Sequence, residues 1–205
     1  MTLEQALERG LASFDAPWSR QTLEDLCFYV MELAKWNKGI NLVGLKDEKA
    51  VVGELLYDAF FLNSYLRERE SVLDLGSGAG IIAIPIKILN REMPLFSVDR
   101  TLKKIQFQRH VKRNLKLINF SPIHSRAETL DPLNVQVLVA KAFGSIPHIL
   151  ARGGKHTARG GYAFLLRGKN RERENVEGFV LEDVIPYRLP YSTKERTLFV
   201  YRKRG

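Results

Sequence analysis

Three glycines within five positions, Gly76, Gly78 and Gly80, follow Asp74 in the stretch SVLDLGSGAGIIAIPIKIL, Ser71 to Leu89. An apolar run enters the glycines and a second one leaves them. Where a strand turns directly into a helix, a ligand binds beyond the strand's carboxyl end. Glycines at such a turn admit positive φ values and remove side chains that would hold a ligand off the backbone, so main-chain N–H groups could approach it. A turn with no ligand rarely needs three of them. The spacing excludes two ligand classes. A dinucleotide fingerprint requires glycine at position 81, where Ile81 stands, and a P-loop requires Lys followed by Ser or Thr, which is absent.

The flanking elements must position this turn. Helical periodicity runs through Leu23, Cys27, Val30 and Ala34, with Leu26 and Leu33 beside that stripe, and is expected to break at Gly39. A second helical segment is predicted over roughly 48–67. From Ser71 short apolar runs alternate with helical ones: SVLDL, PLFSVD, NFSPIHS, VQVLVAKAF and YAFLLRG read as strands. FVLEDVIPYRLP and RTLFVYRKR follow with no helix between them, which makes an antiparallel pair. Alternating β and α elements imply a parallel sheet covered on both faces. The expected fold is therefore α/β, a mostly parallel seven-stranded sheet with one antiparallel strand. A helical N-terminal extension (1–69) is expected to pack on the main domain (70–205). Pro85, inside the first helix of that domain, is a misfit that should kink or delay it.

Asp-x-Gly-x-Gly-x-Gly resembles motif I of the Rossmann-like class I S-adenosylmethionine-dependent methyltransferases. That motif implies Asp74, Gly76, Ser77, Gly78 and Gly80 as cofactor-binding residues. Asp99, closing the second strand in SVDR, is placed to accept hydrogen bonds from ribose hydroxyls, although dinucleotide enzymes keep an acid there too. Three further stretches narrow the likeness. LAKWNKGINLVGL (33–45), SRAETL (125–130) and VAKAFGSI (139–146) are similar to segments of the RsmG family, also called glucose-inhibited division protein B. The resemblance implies a bacterial enzyme that methylates N7 of one guanosine in 16S ribosomal RNA, with the RNA or the 30S subunit as substrate. It further implies that Gly76 and Ile81 contact the cofactor, and that Ala127 and Glu128 hold the adenine. Lys141 stands where the family has a functional arginine, and Arg167 where the family has lysine. The glycine after Gly80 is replaced by Ile81, and LLYDA keeps Asp58 while Leu55 replaces a histidine.

The chemistry is consistent with the residues present. Guanine N7 has an available lone pair, so its methylation needs proximity and orientation rather than a general base. Cytosine C5 methylation needs a cysteine near the strand ends, but the single cysteine, Cys27, falls on an apolar helix stripe and reads as core. Amine methylation uses Asn/Asp-Pro-Pro-aromatic after the fourth strand, where this chain has AKAFGS. Lys141 and Arg167 fall at carboxyl ends of central strands. They read either as contacts to RNA phosphate or guanine O6, or as structural partners of a carboxylate such as Glu172. The four histidines, His110, His124, His148 and His156, lack ligand spacing, so no metal is assigned.

A net charge of +9 favours a polyanionic partner. Arg109, Lys112, Arg113 and Lys116 share one helix face, which is either an RNA surface or a solvated one. Arg152, Lys155 and Arg159 lie in a glycine-containing loop that could reshape around folded RNA. Trp18 and Trp36 read as core rather than base-stacking platforms. No apolar run approaches the roughly 20 residues that span a bilayer, and the N-terminus carries no signal pattern. The expectation is a cytoplasmic monomer without membrane or obligate protein partner. Two rival readings stay open at this point: a class I methyltransferase with a different RNA or protein acceptor, or a catalytically silent RNA-binding relative.

Overall fold

The computed structural model describes residues 1–44, 47–66, 71–141, 144–169, 173–190 and 192–205. Seven strands form one sheet in the order β3-β2-β1-β4-β5-β7-β6. They are β1 (Val72–Leu75), β2 (Leu95–Asp99), β3 (Phe120–His124), β4 (Val135–Lys141), β5 (Thr157–Gly168), β6 (Phe179–Arg188) and β7 (Glu195–Lys203). The first five pair in parallel, and β7 runs antiparallel to both β5 and β6. All four residues of β1 are buried, as a central strand covered on both faces requires. The expected α/β class and the single antiparallel strand are both present.

The described residues form seven α-helices: α1 (Leu3–Ser13), α2 (Arg20–Ile40), α3 (Glu48–Val51), α4 (Tyr57–Asn63), α5 (Ala83–Leu89), α6 (Leu102–Asn114) and α7 (Ile146–Gly153). A π-helical turn, Val52–Leu56, joins α3 to α4, so the segment expected as one helix is three pieces. Its predicted end at Arg67 lies outside the described residues. Pro85 is the third residue of α5, in the first turn, where its missing N–H breaks no intrahelical bond. α2 continues past Gly39 to Ile40 and stops at Asn41, which takes the left-handed conformation at φ 48°.

The buried face of α2 is centred on Leu26, Tyr29 and Leu33, one residue away from the predicted stripe. Cys27 and Ala34 are therefore half-buried at its border. Aromatic bulk explains the shift, because burying Tyr29 removes more apolar surface from water than burying Cys27. Trp36 is half-buried against Phe107 and His110, whereas Trp18 is 43% exposed and does not belong to the core. Buried residues of α1, α2 and α4 share one apolar cluster with β1, α5 and β5. Among the described residues no helix is long and apolar enough to cross a membrane.

Candidate active site

The glycine turn joins β1 to α5. Gly76, Gly78 and Gly80 all have positive φ (69°, 58° and 76°), which explains the residue type. The expectation that their N–H groups face a ligand is not met. Gly76 donates to the Val98 carbonyl at 2.9 Å, Gly78 to Asp99 Oδ2 at 2.9 Å, and Gly80 to the Ser77 carbonyl at 2.9 Å. The end of β2 takes the first two donors and the turn itself the third, so none is left unpaired, as a backbone away from water requires. What it offers a ligand is missing side chains. A β-carbon on Gly78 would have no neighbour nearer than Lys104 Nζ at 4.0 Å, so that stretch of backbone faces open space. Gly80 differs, since its β-carbon would sit 2.7 Å from Ile84.

Polar side chains brace the turn from below. Ser97 donates to Ser77 Oγ at 2.8 Å, and Gln108 Nε2 donates to Ser77 Oγ at 2.9 Å and to the Gly78 carbonyl at 2.8 Å. From α2, the buried Tyr29 hydroxyl donates to the Ala79 carbonyl at 3.2 Å. The first helices thus hold the turn directly. The WNK segment acts next to it: Asn37 Oδ1 accepts the Val43 N–H at 2.9 Å, which fixes the turn that carries Leu42 and Val43 over the glycines.

Three cavities run along the carboxyl ends of the strands. The first, about 390 Å³, is walled by Leu75, Gly76, Val98, Asp99, Ala127 and Glu128, with cations at its rim. Asp99 is held at the end of β2 by the N–H groups of Gly78 and Thr101 (2.7 Å), one on each oxygen. A carboxylate oxygen has two lone pairs, so both retain capacity for hydroxyl donors. The second cavity, about 260 Å³, shares Gly76 with the first and adds Leu42, Val43, Leu55, Asp74, Ile81 and Lys141. Ile81 is an apolar wall of this space. Asp74 is fully buried and accepts the Ala83 N–H at 3.1 Å. Burial pushes its carboxyl up to about 7, against the pull of that hydrogen bond and of Lys141.

The third cavity, about 660 Å³, shares Lys141 with the second and is lined by Glu54, Asp58, Arg167, Tyr187, Arg188 and Arg196 among others. Its organising group is Asp58, a carboxylate with no exposed surface. Asp58 accepts Lys141 Nζ at 2.7 Å, the Tyr187 hydroxyl at 2.7 Å, and Arg196 through a short charge-assisted bond. Carbonyls of the π turn complete the network: Leu55 takes Lys141 at 3.4 Å and Glu54 takes Arg196 at 3.1 Å. Burial and then the Asp58 charge push the Tyr187 phenol well above its usual range, so it stays protonated and donates to Asp58.

Lys141 therefore does pair with a carboxylate, and the partner is Asp58. Glu172 lies outside the described residues. Arg167 reaches the same cavity from β5, and its Nε is buried without a hydrogen-bond partner among the described residues. Sequence reading missed Asp58, Tyr187 and Arg196 as members of the site; the retained acid in LLYDA was the available signal.

The proposed RNA residues are placed less favourably. Arg109 donates to the Pro122 carbonyl from Nε and Nη2, both at 3.3 Å. Lys112 and Arg113 occupy the last turn of α6, which returns to the amino edge of the sheet, away from the cavities. Lys116 is beyond the helix. Arg152, Lys155 and Arg159 do not share a loop, because α7 runs to Gly153 and β5 already begins at Thr157. Arg152 pairs with the Glu128 carboxylate at 2.9 Å and Lys155 donates to the Glu128 carbonyl at 2.8 Å. The local glycines serve packing: a β-carbon on Gly153 would meet Leu75 at 2.4 Å, and one on Gly161 the Gln136 carbonyl at 2.7 Å.

S-adenosylmethionine fits these residues. The open backbone at Gly78, the Asp99 carboxylate beside an apolar slot, and the acid-bearing second cavity match its adenosine and its positively charged amino-acid end. Solved structures agree on the fold. A SAM-dependent methyltransferase from Aquifex aeolicus superposes with a TM-score of 0.57 at 15% identity, covering 76% of this chain and 93% of that one. The glycopeptide N-methyltransferase MtfA superposes at 0.60 and 12% identity, over 74% of this chain and 96% of that one. Among curated relatives, "Ribosomal RNA small subunit methyltransferase G" of Syntrophotalea carbinolica is 31% identical over 98% of this chain and 99% of its own. The protein of the same name from Xanthomonas oryzae pv. oryzae is 33% identical over 97% and 94%. The family described as GidB, rRNA small subunit methyltransferase G, matches residues 22–196. The chain belongs to this family of S-adenosylmethionine-dependent ribosomal RNA methyltransferases.

Proposed function

We propose that the three cavities act as one cleft in which a guanosine of 16S ribosomal RNA is methylated at N7. The observation that carries this reading is continuity: Gly76 joins the first two cavities and Lys141 the last two. Gly76, Gly78 and Ser77 form the floor for the cofactor, Gly80 keeps the turn closed, and Asp99 takes the ribose hydroxyls. Ala127 packs on the adenine, and Glu128, fixed by Arg152, closes that end. Ile81, Leu42 and Leu55 keep water from the reacting atoms, and Asp74 faces the cationic end of the cofactor.

When bound, S-adenosylmethionine supplies an electrophilic methyl group on a positively charged sulfur. The N7 lone pair forms the new N–CH₃ bond as the sulfur–methyl bond breaks, so positive charge passes to the purine. No base is required. Lys141 donates to the guanine O6, next to N7. Its pairing with Asp58 keeps the ammonium from opposing the charge that develops on the ring. Arg167, which lines the same cavity, takes a phosphate of the target nucleotide. The chain acts as a cytoplasmic monomer.

The test is methyl transfer from labelled S-adenosylmethionine to 16S RNA and 30S particles lacking the modification, with the product nucleoside identified. Label is expected in N7-methylguanosine. Label in another nucleoside, or cofactor binding with no transfer to either substrate, overturns the reading.

A further inference from the structure

The rim of the cofactor cavity carries more positive charge than its cofactor can use. Arg100, Lys104 and Arg126 line its mouth, and Lys103 stands beside them on the first turn of α6. Arg100, Lys103 and Arg126 are exposed and Lys104 is half-buried. None of the four has an ion-pair partner among the described residues. The two acids in that wall are already engaged, Asp99 by backbone N–H groups and Glu128 by Arg152. Cations nearby are consumed differently: Arg109 by a carbonyl, Arg152 and Lys155 by Glu128.

S-adenosylmethionine itself carries net positive charge, so a cationic rim does not complement it. The first turn of α6 holds no acid, although the helix dipole favours acids there and disfavours Lys103 and Lys104. Local electrostatics set against stability mark a surface whose partner is absent from the folded chain itself. An anion spanning the exposed cations relieves both conflicts, and a phosphodiester backbone has that charge repeated along its length.

We propose that Arg100, Lys103 and Arg126, with Lys104 behind them, form a phosphate track. The RNA flanking the target guanosine lies across the cofactor end of the cleft and roofs the cavity. This rests on the RNA acceptor argued above. It moves the RNA path from the far end of α6 to its start, and extends it from the acceptor cavity along the whole mouth.

The experiment compares two charge-matched triple variants of the full chain. One carries Arg100→Gln, Lys103→Gln and Arg126→Gln; the other carries Arg109→Gln, Lys112→Gln and Arg113→Gln. Affinity for a 16S RNA fragment is measured against salt, with cofactor affinity read in parallel. The rim triple is expected to bind RNA about 10- to 100-fold more weakly near 100 mM salt, with a log–log salt slope shallower by about 2. Its cofactor affinity should stay within about threefold, and the α6 triple should hold its RNA affinity within about threefold. Its thermal midpoint should not fall, since like charges at a helix start are removed. Equal losses in both triples would reduce the effect to net charge and overturn the track, as would no loss in the rim triple. If the unsubstituted protein binds no RNA, the acceptor reading itself fails, a result distinct from either.

Discussion

The two halves of the cleft are built in different ways. The cofactor half is a backbone device: seven consecutive residues, Asp74 to Gly80, curl into a turn whose donors are taken by the end of β2 and by the turn itself, leaving open backbone at Gly78. The acceptor half is a side-chain device. Glu54, Asp58, Lys141, Tyr187 and Arg196 come from the π turn, α4, β4, β6 and β7, and one fully buried carboxylate gathers them. A backbone site resists substitution outside its glycines. A charge network of this kind depends on its shared carboxylate, because removing that group leaves buried donors short of a partner, whereas removing one donor does not.

That asymmetry sets the largest expected effect. Lys141→Ala is predicted to lower methyl transfer by about 10²- to 10³-fold, with cofactor affinity within about threefold. The fold should survive, because Arg196 and Tyr187 still pair with Asp58. Asp58→Asn should also abolish transfer, and in addition cost about 3–5 kcal/mol of stability by leaving Lys141 without its counter-charge and Arg196 with Glu54 alone. Single-turnover transfer, isothermal titration with cofactor and thermal melting read the three quantities separately. If Lys141→Ala instead lost cofactor binding and kept single-turnover transfer at saturating cofactor, the division between the halves would be wrong.

The same asymmetry decides what the sequence discloses. Alternating apolar and helical runs revealed the sheet and its antiparallel strand, because each element's period is written locally. The glycine turn was legible for the same reason, although not the fate of its N–H groups, which depends on Asp99 and Val98 across the sheet. The Asp58 network joins residues up to 142 positions apart, and no local pattern reports such a contact. The basic residues misled for a related reason: spacing puts Arg109, Lys112 and Arg113 on one face of α6, but only the fold shows which end of the sheet that face adjoins. The segment 151–161 read as a loop because its glycines resemble hinges. Gly153 and Gly161 are instead places where neighbouring atoms leave no room for a β-carbon.

A smaller effect separates two glycines of one turn. Gly80→Ala meets both a positive φ of 76° and Ile84 at 2.7 Å, and is predicted to cost about 2–3 kcal/mol of stability. Gly78→Ala meets a positive φ of 58° but open space, so its stability cost should be only about 1 kcal/mol. Its cofactor dissociation constant should nevertheless rise more than about tenfold, because the added methyl occupies the cofactor floor. Chemical denaturation and cofactor titration on both variants test the pair. Equal cofactor losses at equal stability would mean that the floor is not where the cofactor lies.

The smallest effect is a pH dependence confined to the cofactor half. Asp74 is the one acid lining the second cavity among the described residues, and burial holds its carboxyl near 7 against an ordinary 3.8. Between those values the folded chain binds a proton that the unfolded chain has released, so this group's contribution to stability declines as pH rises from about 4 to 7. Cofactor binding follows the opposite course. The cationic end of S-adenosylmethionine favours ionised Asp74, so below about pH 7 binding must first displace the proton, and affinity should be about tenfold weaker at pH 6 than at pH 8. Asp74→Asn removes the titration while keeping the shape. It should bind cofactor more weakly at high pH, show a flat profile, and lose the decline in stability between about pH 4 and 7. A wild-type profile that stays flat from pH 6 to 8 would take Asp74 out of the cofactor's charge recognition and leave it a structural acid of β1.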